Sequence, residues 1–270
     1  MSTQNFSLAE LMIVAAAEAF RDNGEVLASG LGIIPRLAAS LAKMTHSPEL
    51  LMTDSEAFLV EEPIPVGPRG DYEPKYSGYM PFERIFDNVF RGQRHAMVGP
   101  IQIDRWAQNN LSIIGDDYNK PKVAMLCVRG LPGNSINHMN SFFVPSHSKR
   151  VFVEDEVDMV SSVGFKEERW SEHMRRDTMG IGLTITDLCI MDFKGPNNAA
   201  RVLSLHPGVS FEYVQKNTGF PLLKADDLKE TVAPTAEQLA VIAKLDPHNL
   251  RAKQLKGNPA GIRTPEQVEV

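Results

Sequence analysis

Cysteine is scarce in this 270-residue chain, which contains only Cys127 and Cys189. Both lie in apolar runs and neither belongs to a C-x-x-C pair, so the sequence favours buried thiols over a disulfide framework or a zinc site. Long apolar stretches are also missing, because the run at 11–17 is far shorter than the roughly 20 residues of a membrane helix. No cationic segment precedes that run, so we expect no signal peptide and a cytoplasmic protein.

Positive charge is in deficit, with 28 Lys and Arg against 34 Asp and Glu and a net charge of −6 at pH 7. This balance argues against a nucleic-acid partner held by a broad basic face. Hydrophobic residues make up 43% of the chain and charged residues 23%, which is typical of a folded protein with an ample core. The length allows one large domain or two small ones.

Several common site motifs are absent. The chain has no phosphate-binding G-x-x-x-x-G-K-[ST] loop, no G-x-G-x-x-G after a predicted strand, no H-E-x-x-H and no G-x-S-x-G. We therefore expect no metal site. The search for function turns to the loops that follow predicted strands, because ligands of open α/β sheets bind beyond the carboxyl ends of their strands.

Helical and strand patterns alternate along the chain. Ser7 and Glu10 fit a capping box at the start of a helix, and a strand at 25–29, a glycine turn, a helix at 33–44 and a strand at 50–53 follow. This alternation predicts an α/β fold with a mostly parallel open sheet flanked by helices. Further strands are predicted at 95–98, 123–128, 150–153, 183–192 and 201–205, and further helices at 82–91 and from Thr235 onward.

Two segments depart from this alternation. Residues 61–81 are rich in proline and glycine, which is typical either of a functional lid or interface or of a solvated connector. Beyond Asp246 the chain is polar. We expect a single domain over 1–246 and a C-terminal tail over 247–270, either extended over a surface or partly disordered.

The first candidate site is the loop after strand 50–53, where Asp54, Ser55 and Glu56 stand together. Two carboxylates at a strand end can supply a general base, a nucleophile or an orienting pair. The alternative is a helix N-cap with solvated acids.

The second candidate is the turn after strand 123–128, which contains Gly130, Gly133, Asn134, Asn137 and His138. Its glycines allow close approach to a ligand, and its N–H groups could form an oxyanion hole for a thioester carbonyl. The alternative is an ordinary strand-to-helix turn in which His138 is a hydrogen-bonded structural residue.

Two polar segments complete the candidates. Gln102 to Asn110 is rich in amides and acids, which can bind substrate or satisfy their own backbone; the structural role is favoured here. Asp155, Glu156 and Asp158 follow strand 150–153 and read as a solvated acidic turn.

These segments, in this order, resemble the beta subunit of family I CoA-transferases. Residues 102–110 resemble the family's Q-V-D-x-x-G-N-x-N, and residues 130–134 its G-x-G-G-[AN] turn with Pro132 in place of a glycine. The likeness spans about 9–246. It implies an α-type partner subunit in an α2β2 assembly and an acyl-CoA substrate, with CoA as part of that substrate and no tightly bound cofactor. Further matching segments are 149–153, 185–193 and 208–220.

The chain departs from that family at its nucleophile. Family transferases carry a catalytic glutamate in S-E-[NS]-G, but alignment without gaps through Pro63 places Ser55 at that position. Glu56 falls one residue later, and one residue reverses the side-chain direction in an extended segment. Asp54, Ser55 and Glu56 therefore remain candidates without being the family nucleophile by register.

The chain also resembles a hydrolytic branch of the family, which cleaves rings in steroid degradation. This resemblance includes the loop at 54–56, where the chain differs from the transferases. That resemblance implies hydrolytic opening of a cyclic β-keto acyl-CoA, with the catalytic glutamate on the α subunit. This chain would supply oxyanion donors at Gly133 and Asn134 and part of the substrate pocket. Two alternatives stay open: a true CoA-transferase subunit with Glu56 as nucleophile, and a non-catalytic partner-binding subunit. The matching runs are 51–57, 80–86, 129–138, 149–154 and 204–209.

Overall fold

A computed structural model describes residues 5–55, 57–125 and 128–269. No helix in these ranges is long and apolar enough to cross a membrane. The helices are α1 Leu8–Ala17, α2 Ile33–Met44, α3 Phe82–Phe90, α4 Leu131–Ser135, α5 Phe211–Lys216, α6 Ala236–Leu245 and α7 Pro265–Val268, with 3₁₀ turns at Glu18–Phe20, Glu167–Arg169, Pro196–Asn198 and Leu250–Lys253. The strands are β1 Leu27–Gly30, β2 Phe58–Val60, β3 Tyr76–Tyr79, β4 Arg94–Val98, β5 Gln102–Ile103, β6 Asn109–Asn110, β7 Ile113–Ile114, β8 Val123–Ala124, β9 Met139–Val144, β10 Gly180–Thr186, β11 Cys189–Asp192, β12 Arg201–Leu205 and β13 Leu223–Glu230.

The principal sheet has seven strands in the order β1-β4-β9-β10-β11-β12-β13. The pairs β1–β4, β4–β9, β9–β10 and β12–β13 are parallel, whereas β10–β11 and β11–β12 are antiparallel. The prediction of a mostly parallel open sheet with helices is confirmed. The predicted strand at 50–53 adds only a bridge, in which Leu51 runs parallel to Leu27 at the edge of β1.

The first helix begins where its capping box predicts. The Ser7 hydroxyl accepts the N–H of Glu10 at 3.3 Å, and the Glu10 carboxylate accepts the N–H of Ser7 at 2.8 Å. α1 is buried on nearly all sides because the chain packs α2, α6 and β10 around it. This burial explains why α1 is apolar around its whole circumference, with little amphipathic contrast. The helices predicted at 33–44, 82–91 and from Thr235 correspond to α2, α3 and α6.

Three predicted segments differ from the structure. The strand predicted at 123–128 is reduced to β8, which pairs with β7 outside the principal sheet, while Leu126 and Cys127 lie outside the described residues. The strand predicted at 183–192 is a hairpin of β10 and β11, because the Thr186 hydroxyl accepts the N–H groups of Leu188 and Cys189 and closes a turn. The segment 61–81 contains β3, which pairs with β2.

The strand predicted at 150–153 is likewise only a bridge, between Phe152 and Ile103. The chain after Asp246 packs against the first helix. The Arg251 guanidinium lies 2.8 Å from the Glu10 carboxylate and 3.0 Å from the Asp246 carboxylate, and Leu255 is buried. These contacts bring the C-terminal segment onto α1, whereas the division at residue 246 remains a prediction.

Candidate active-site loop and oxyanion turn

The Asp54–Ser55 loop lies beyond the carboxyl end of the sheet edge. Leu51 pairs in parallel with β1, so Asp54 and Ser55 come next to the turn that leads from β1 into α2. Asp54 is buried, its carboxylate accepts the N–H of Phe58 at 3.2 Å, and its own N–H donates to the Phe58 carbonyl at 3.0 Å. Asp54 is therefore not solvated. It is also not a helix cap, because the strand β2 follows it. Glu56 lies outside the described residues.

Two arginines that sequence reasoning did not single out border this loop. Arg36 on α2 donates a 2.9 Å hydrogen bond from Nη1 to the Ser55 hydroxyl, and Ser55 has a left-handed backbone with φ of +75°. Arg69 donates from Nη2 to the Asp54 carbonyl at 3.1 Å. Burial lowers the pKa of Arg36, the charge of Arg69 lowers it further, and Asp54 opposes both. The loop therefore carries positive charge close to its serine.

The approach of α2 to the loop depends on Gly30. A Cβ at Gly30 would lie 2.3 Å from the backbone carbonyl of Pro35, so only glycine allows the strand end and the helix to come this close. Gly32 then opens α2 with φ of +116°, which L-residues rarely adopt. Together these glycines bring the first turns of α2, and with them Arg36, against Ser55.

The glycine-rich turn folds into the short helix α4. Gly133 lies inside α4 without a positive φ, and a Cβ added there would meet nothing within 4 Å. The N–H of Asn134 donates to the Gly130 carbonyl at 2.9 Å, so it is engaged within the turn. Asn137 donates from Nδ2 to the Gly133 carbonyl at 2.7 Å. Of the two predicted oxyanion donors, Gly133 is therefore the better candidate, because the Asn134 N–H already has an acceptor.

His138 fits the structural alternative better than the catalytic one. Its side chain is fully buried, Nδ1 donates to the Met139 carbonyl at 2.9 Å, and burial lowers its pKa to about 4. Nε2 has no hydrogen-bond partner among the described residues. Since His138 directly precedes β9, it lies at the amino ends of the parallel strands, whereas Asp54 and Ser55 follow carboxyl ends. The structure brings neither His138 nor α4, which also precedes β9, to the Asp54–Ser55 loop.

The segment around Gln102 forms a buried polar network. The Gln102 side-chain carbonyl accepts from Asn110 Nδ2 at 2.7 Å and from the Asp158 N–H at 2.9 Å. Asp104 is fully buried and accepts from the N–H and the side-chain amide of Gln108 at 3.1 and 2.7 Å. These bonds hold β5 and β6 to the following loop, as the favoured structural interpretation predicts. Substrate contact by Gln102 remains a prediction.

The acidic turn after 150–153 is not simply solvated. Glu156 accepts from Lys166 at 2.7 Å, from Arg169 at 2.8 Å and from Gln108 at 3.0 Å. Although burial opposes ionisation, these hydrogen bonds and charges lower the pKa of Glu156 to about 2. Glu156 is therefore an ionised anchor for the Gln102 network rather than a catalytic acid.

A second buried polar cluster surrounds the β10–β11 turn. The His147 ring contacts the hydroxyls of Thr186 and Thr218 at 3.1 and 2.9 Å, and its backbone N–H donates to the Asp187 carboxylate at 2.7 Å. Burial raises the pKa of Asp187 to about 6 and lowers the pKa of His147 to about 3. His206 contacts the Thr186 carbonyl at 2.8 Å. Every named polar group has a partner, which indicates a structural cluster. Within the described residues, no group of His, Cys, Asp and Glu could hold a metal ion.

An exposed aromatic surface extends over the β2–β3 hairpin and α3. Phe82, Phe86 and Phe90 recur every fourth residue and so lie on one outward side of α3, while Val89 is buried on the other side. Monomeric proteins rarely expose so many contiguous aromatic rings, which indicates a contact with another protein. Met80, which precedes α3, is buried and does not belong to this surface. The aromatic surface consists of Phe58, Tyr76, Tyr79, Phe82, Phe86 and Phe90.

Known proteins are similar to this chain in sequence and in fold. The chain is 39% identical to the cholesterol ring-cleaving hydrolase IpdB subunit of Rhodococcus jostii, over 92% of this chain and 95% of that protein. It is 33% identical to a 3-oxoadipate CoA-transferase subunit from Pseudomonas knackmussii, over 93% of this chain and 98% of the relative. The crystal structure of Rhodococcus jostii RHA1 IpdAB matches with a TM-score of 0.84 and 38% identity, over 93% of this chain and 98% of that chain. No family model matches the chain.

The fold and the two loops thus define a CoA-transferase-type subunit, as the sequence resemblance implied. Within that class, the chain belongs to the family that contains the IpdB subunits of cholesterol ring-cleaving hydrolases. A glutaconate CoA-transferase subunit from Acidaminococcus fermentans is a more distant member, at 27% identity over 88% of this chain and 90% of that protein.

Proposed function

We propose that this chain is the β subunit of a heteromeric hydrolase that opens a cyclic β-keto acyl-CoA, the steroid ring C/D remnant, in steroid catabolism. The observation that carries the proposal is the Asp54–Ser55 loop, where Arg36 holds the hydroxyl of Ser55. The alignment without gaps assigns this serine to the position of the family nucleophile. A serine hydroxyl there does not support a glutamyl-CoA intermediate in the family register. The similarity to hydrolase subunits over nearly the whole chain supports the same conclusion.

The chemistry requires a base, a water molecule and a place for negative charge. A carboxylate takes a proton from water, and the water oxygen attacks the ring ketone of the 1,3-dicarbonyl unit. The carbon–carbon bond between that ketone carbon and the α carbon then breaks, and its electron pair forms the enolate of the thioester. Protonation of that carbon gives a ring-opened acyl-CoA with a new carboxyl group. No oxidant and no acceptor acid take part.

Residues of this chain act in the second half of this reaction, when negative charge develops on the substrate. We propose that the Gly133 N–H stabilises charge on a carbonyl oxygen of the substrate, since preorganised backbone donors are effective at developing oxyanions. The general base is a glutamate of the α subunit. Partial burial where the two chains meet would raise the pKa of that glutamate and make it a stronger base. CoA enters as part of the substrate, and no tightly bound cofactor is needed.

The proposal includes an α-type partner in an α2β2 assembly. The Rhodococcus jostii relative is a two-subunit IpdAB protein, and the aromatic surface of this chain supplies apolar area for such a partner. The proposal also places the protein in the cytoplasm. A reducing compartment suits the free, buried Cys189, whose thiol pKa is raised to about 12 by burial.

A CoA-transferase activity with Glu56 as nucleophile is the second candidate. The 33% identity to a 3-oxoadipate CoA-transferase subunit favours it. Incubation of the assembled complex with acyl-CoA, followed by borohydride, separates the two, because borohydride converts the Glu56 side chain to a stable alcohol only when it carries CoA as a thioester. Under the hydrolase proposal, the peptide that contains Glu56 keeps its mass and the complex keeps its activity.

A non-catalytic, partner-binding subunit is the third candidate. Crosslinking of an acyl-CoA photoprobe to residues 130–138 of the assembled complex would count against it. Labelling confined to the α subunit would favour it.

A further inference from the structure

Arg36 and Arg69 reach the same loop from separate parts of the chain. Arg36 comes from α2 and binds the Ser55 hydroxyl at 2.9 Å, while Arg69 comes from the proline-rich segment after β2 and binds the Asp54 carbonyl at 3.1 Å. Because these acceptors belong to adjacent residues, the two guanidinium groups lie beside each other. Burial lowers the pKa of Arg36, the nearby charge of Arg69 lowers it further, and the Asp54 carboxylate raises it.

Among the described residues, both arginines hydrogen-bond only to neutral acceptors. No carboxylate oxygen of the same residues lies within 4 Å of either guanidinium. Arg251, in contrast, lies against Glu10 and Asp246, and Arg201 lies against Asp192. Bringing two cations together without a bound anion is unfavourable, whereas a phosphate or carboxylate between them would accept paired hydrogen bonds from planar guanidinium groups.

The structure provides space beside this pair. Arg69 lines a cavity of about 370 Å³ together with Pro65, Pro68, Tyr72 and His248. The lining is mostly apolar, and Arg69 contributes a charged group at its border. Arg69 thus borders this cavity and also binds the Asp54–Ser55 loop, whereas Arg36 does not line the cavity. A ligand would therefore have to extend past Arg69 toward Ser55 to reach both arginines.

We propose that Arg36 and Arg69 form an oxyanion-binding subsite that holds a phosphate or carboxylate group of the acyl-CoA substrate beside Ser55. The inference rests on the proposed function for the identity of the ligand as an acyl-CoA. The chain as a whole has a net charge of −6, so a local pair of cations is needed to attract a polyanionic substrate to this loop.

Calorimetric binding tests the subsite on the full chain assembled with its α-type subunit. The variants are Arg36→Gln and Arg69→Gln, with Arg36→Lys and Arg69→Lys to retain charge, and Arg84→Gln as the control. Arg84 is an exposed arginine whose only ion pair is with Asp87 among the described residues. The probes are CoA, 3′-dephospho-CoA, pantetheine and the dicarboxylate glutarate.

We expect each glutamine variant to weaken binding of an anionic probe at least tenfold, with partial recovery in the lysine variants and no change in Arg84→Gln. A loss for CoA but not for pantetheine identifies a phosphate group, and a loss confined to glutarate identifies a carboxylate of the acyl part. Unchanged binding of CoA, 3′-dephospho-CoA and glutarate in both folded glutamine variants would overturn the subsite. A complex that binds through these arginines but transfers CoA to an acceptor acid would keep the subsite and overturn the hydrolase proposal.

Discussion

The side-chain amide of Asn137 donates a 2.7 Å hydrogen bond to the carbonyl oxygen of Gly133. This bond fixes the peptide group between Gly133 and Asn134 within α4. The position has no positive φ and no atom within 4 Å of an added Cβ. Glycine is often needed in turns because other residues are destabilised in a left-handed backbone. Gly133 has no such backbone, so a larger residue at this position does not carry that cost.

Replacement of Gly133 by alanine tests the oxyanion role without a folding penalty. We expect the free energy of unfolding to stay within about 1 kcal/mol of the wild type, since alanine is favourable in a helix. We expect kcat of the assembled complex to fall roughly a hundredfold to a thousandfold, the usual cost of one lost or shielded oxyanion donor. Thermal unfolding and steady-state kinetics on the same preparation measure both quantities.

Gly257→Ala is the matched control, because Gly257 has φ of +70° and also faces open space. It should lose about 1 kcal/mol of stability and keep its kcat. An unchanged kcat in Gly133→Ala would remove Gly133 from the site.

The aromatic surface predicts dependence on a partner subunit. Phe82 and Phe90 are 68% and 58% exposed, so serine at both positions should leave the fold intact. We expect this double variant to weaken association with the α subunit at least a hundredfold, because exposed aromatic anchors carry about 2 kcal/mol or more each at interfaces. Glu83→Ser on the same helix is the control. Sedimentation velocity of mixed subunits provides the measurement, and robust turnover by the isolated chain would contradict the dependence.

Acid should destabilise the fold through its buried histidines. Burial lowers the pKa of His95 and His147 to about 3 and of His138 and His206 to about 4, from an ordinary value of 6.5. As the pH falls, the histidines of the unfolded chain therefore bind protons before those of the folded chain. The stability that these neutral histidines contribute is present above pH 6.5 and is lost as the pH falls toward 4. Urea unfolding at pH 7.5 and pH 5 should show a lower free energy of unfolding at pH 5.

Asp187 acts in the opposite direction. Its pKa is raised by burial from 3.8 to about 6, so its contribution to stability is present below pH 3.8 and is lost as the pH rises through 6. Asp187→Asn should therefore be more stable than the wild type at pH 7.5, because asparagine can still accept the His147 N–H, and the difference should shrink at pH 5. A less stable variant at pH 7.5 would show that the ionised carboxylate is needed.

Glu56 discriminates between hydrolase and transferase. If Ser55 occupies the nucleophile register, Glu56→Gln should lose roughly tenfold to a hundredfold in kcat, about 1.4–2.7 kcal/mol, through altered polar contacts. Ser55→Ala provides the neighbouring comparison. A loss beyond about ten-thousandfold in a correctly assembled complex would identify Glu56 as the nucleophile.

Local signals predicted much of this fold. The Ser7–Glu10 capping box and the periodicity of α2 depend on neighbours within a few residues, and both elements begin where the sequence indicates. The sequence did not predict the hairpin turn at Asp187, because the surrounding residues form a long apolar run. The Thr186 hydroxyl that closes the turn is not a distinct signal in such a run. Arg36 and Arg69 could not be associated from sequence, because only the tertiary fold brings α2 and the proline-rich segment to the same loop.

Mass spectrometry of the reaction in ¹⁸O-labelled water tests the central proposal most directly. The assembled complex is given a cyclic β-keto acyl-CoA in the presence and absence of an acceptor acid such as acetate. We predict that the acyl-CoA gains one molecule of labelled water, keeps its CoA, and reacts at the same rate with or without acetate. Formation of acetyl-CoA together with an unlabelled, ring-intact free acid would contradict the hydrolase proposal and establish CoA transfer.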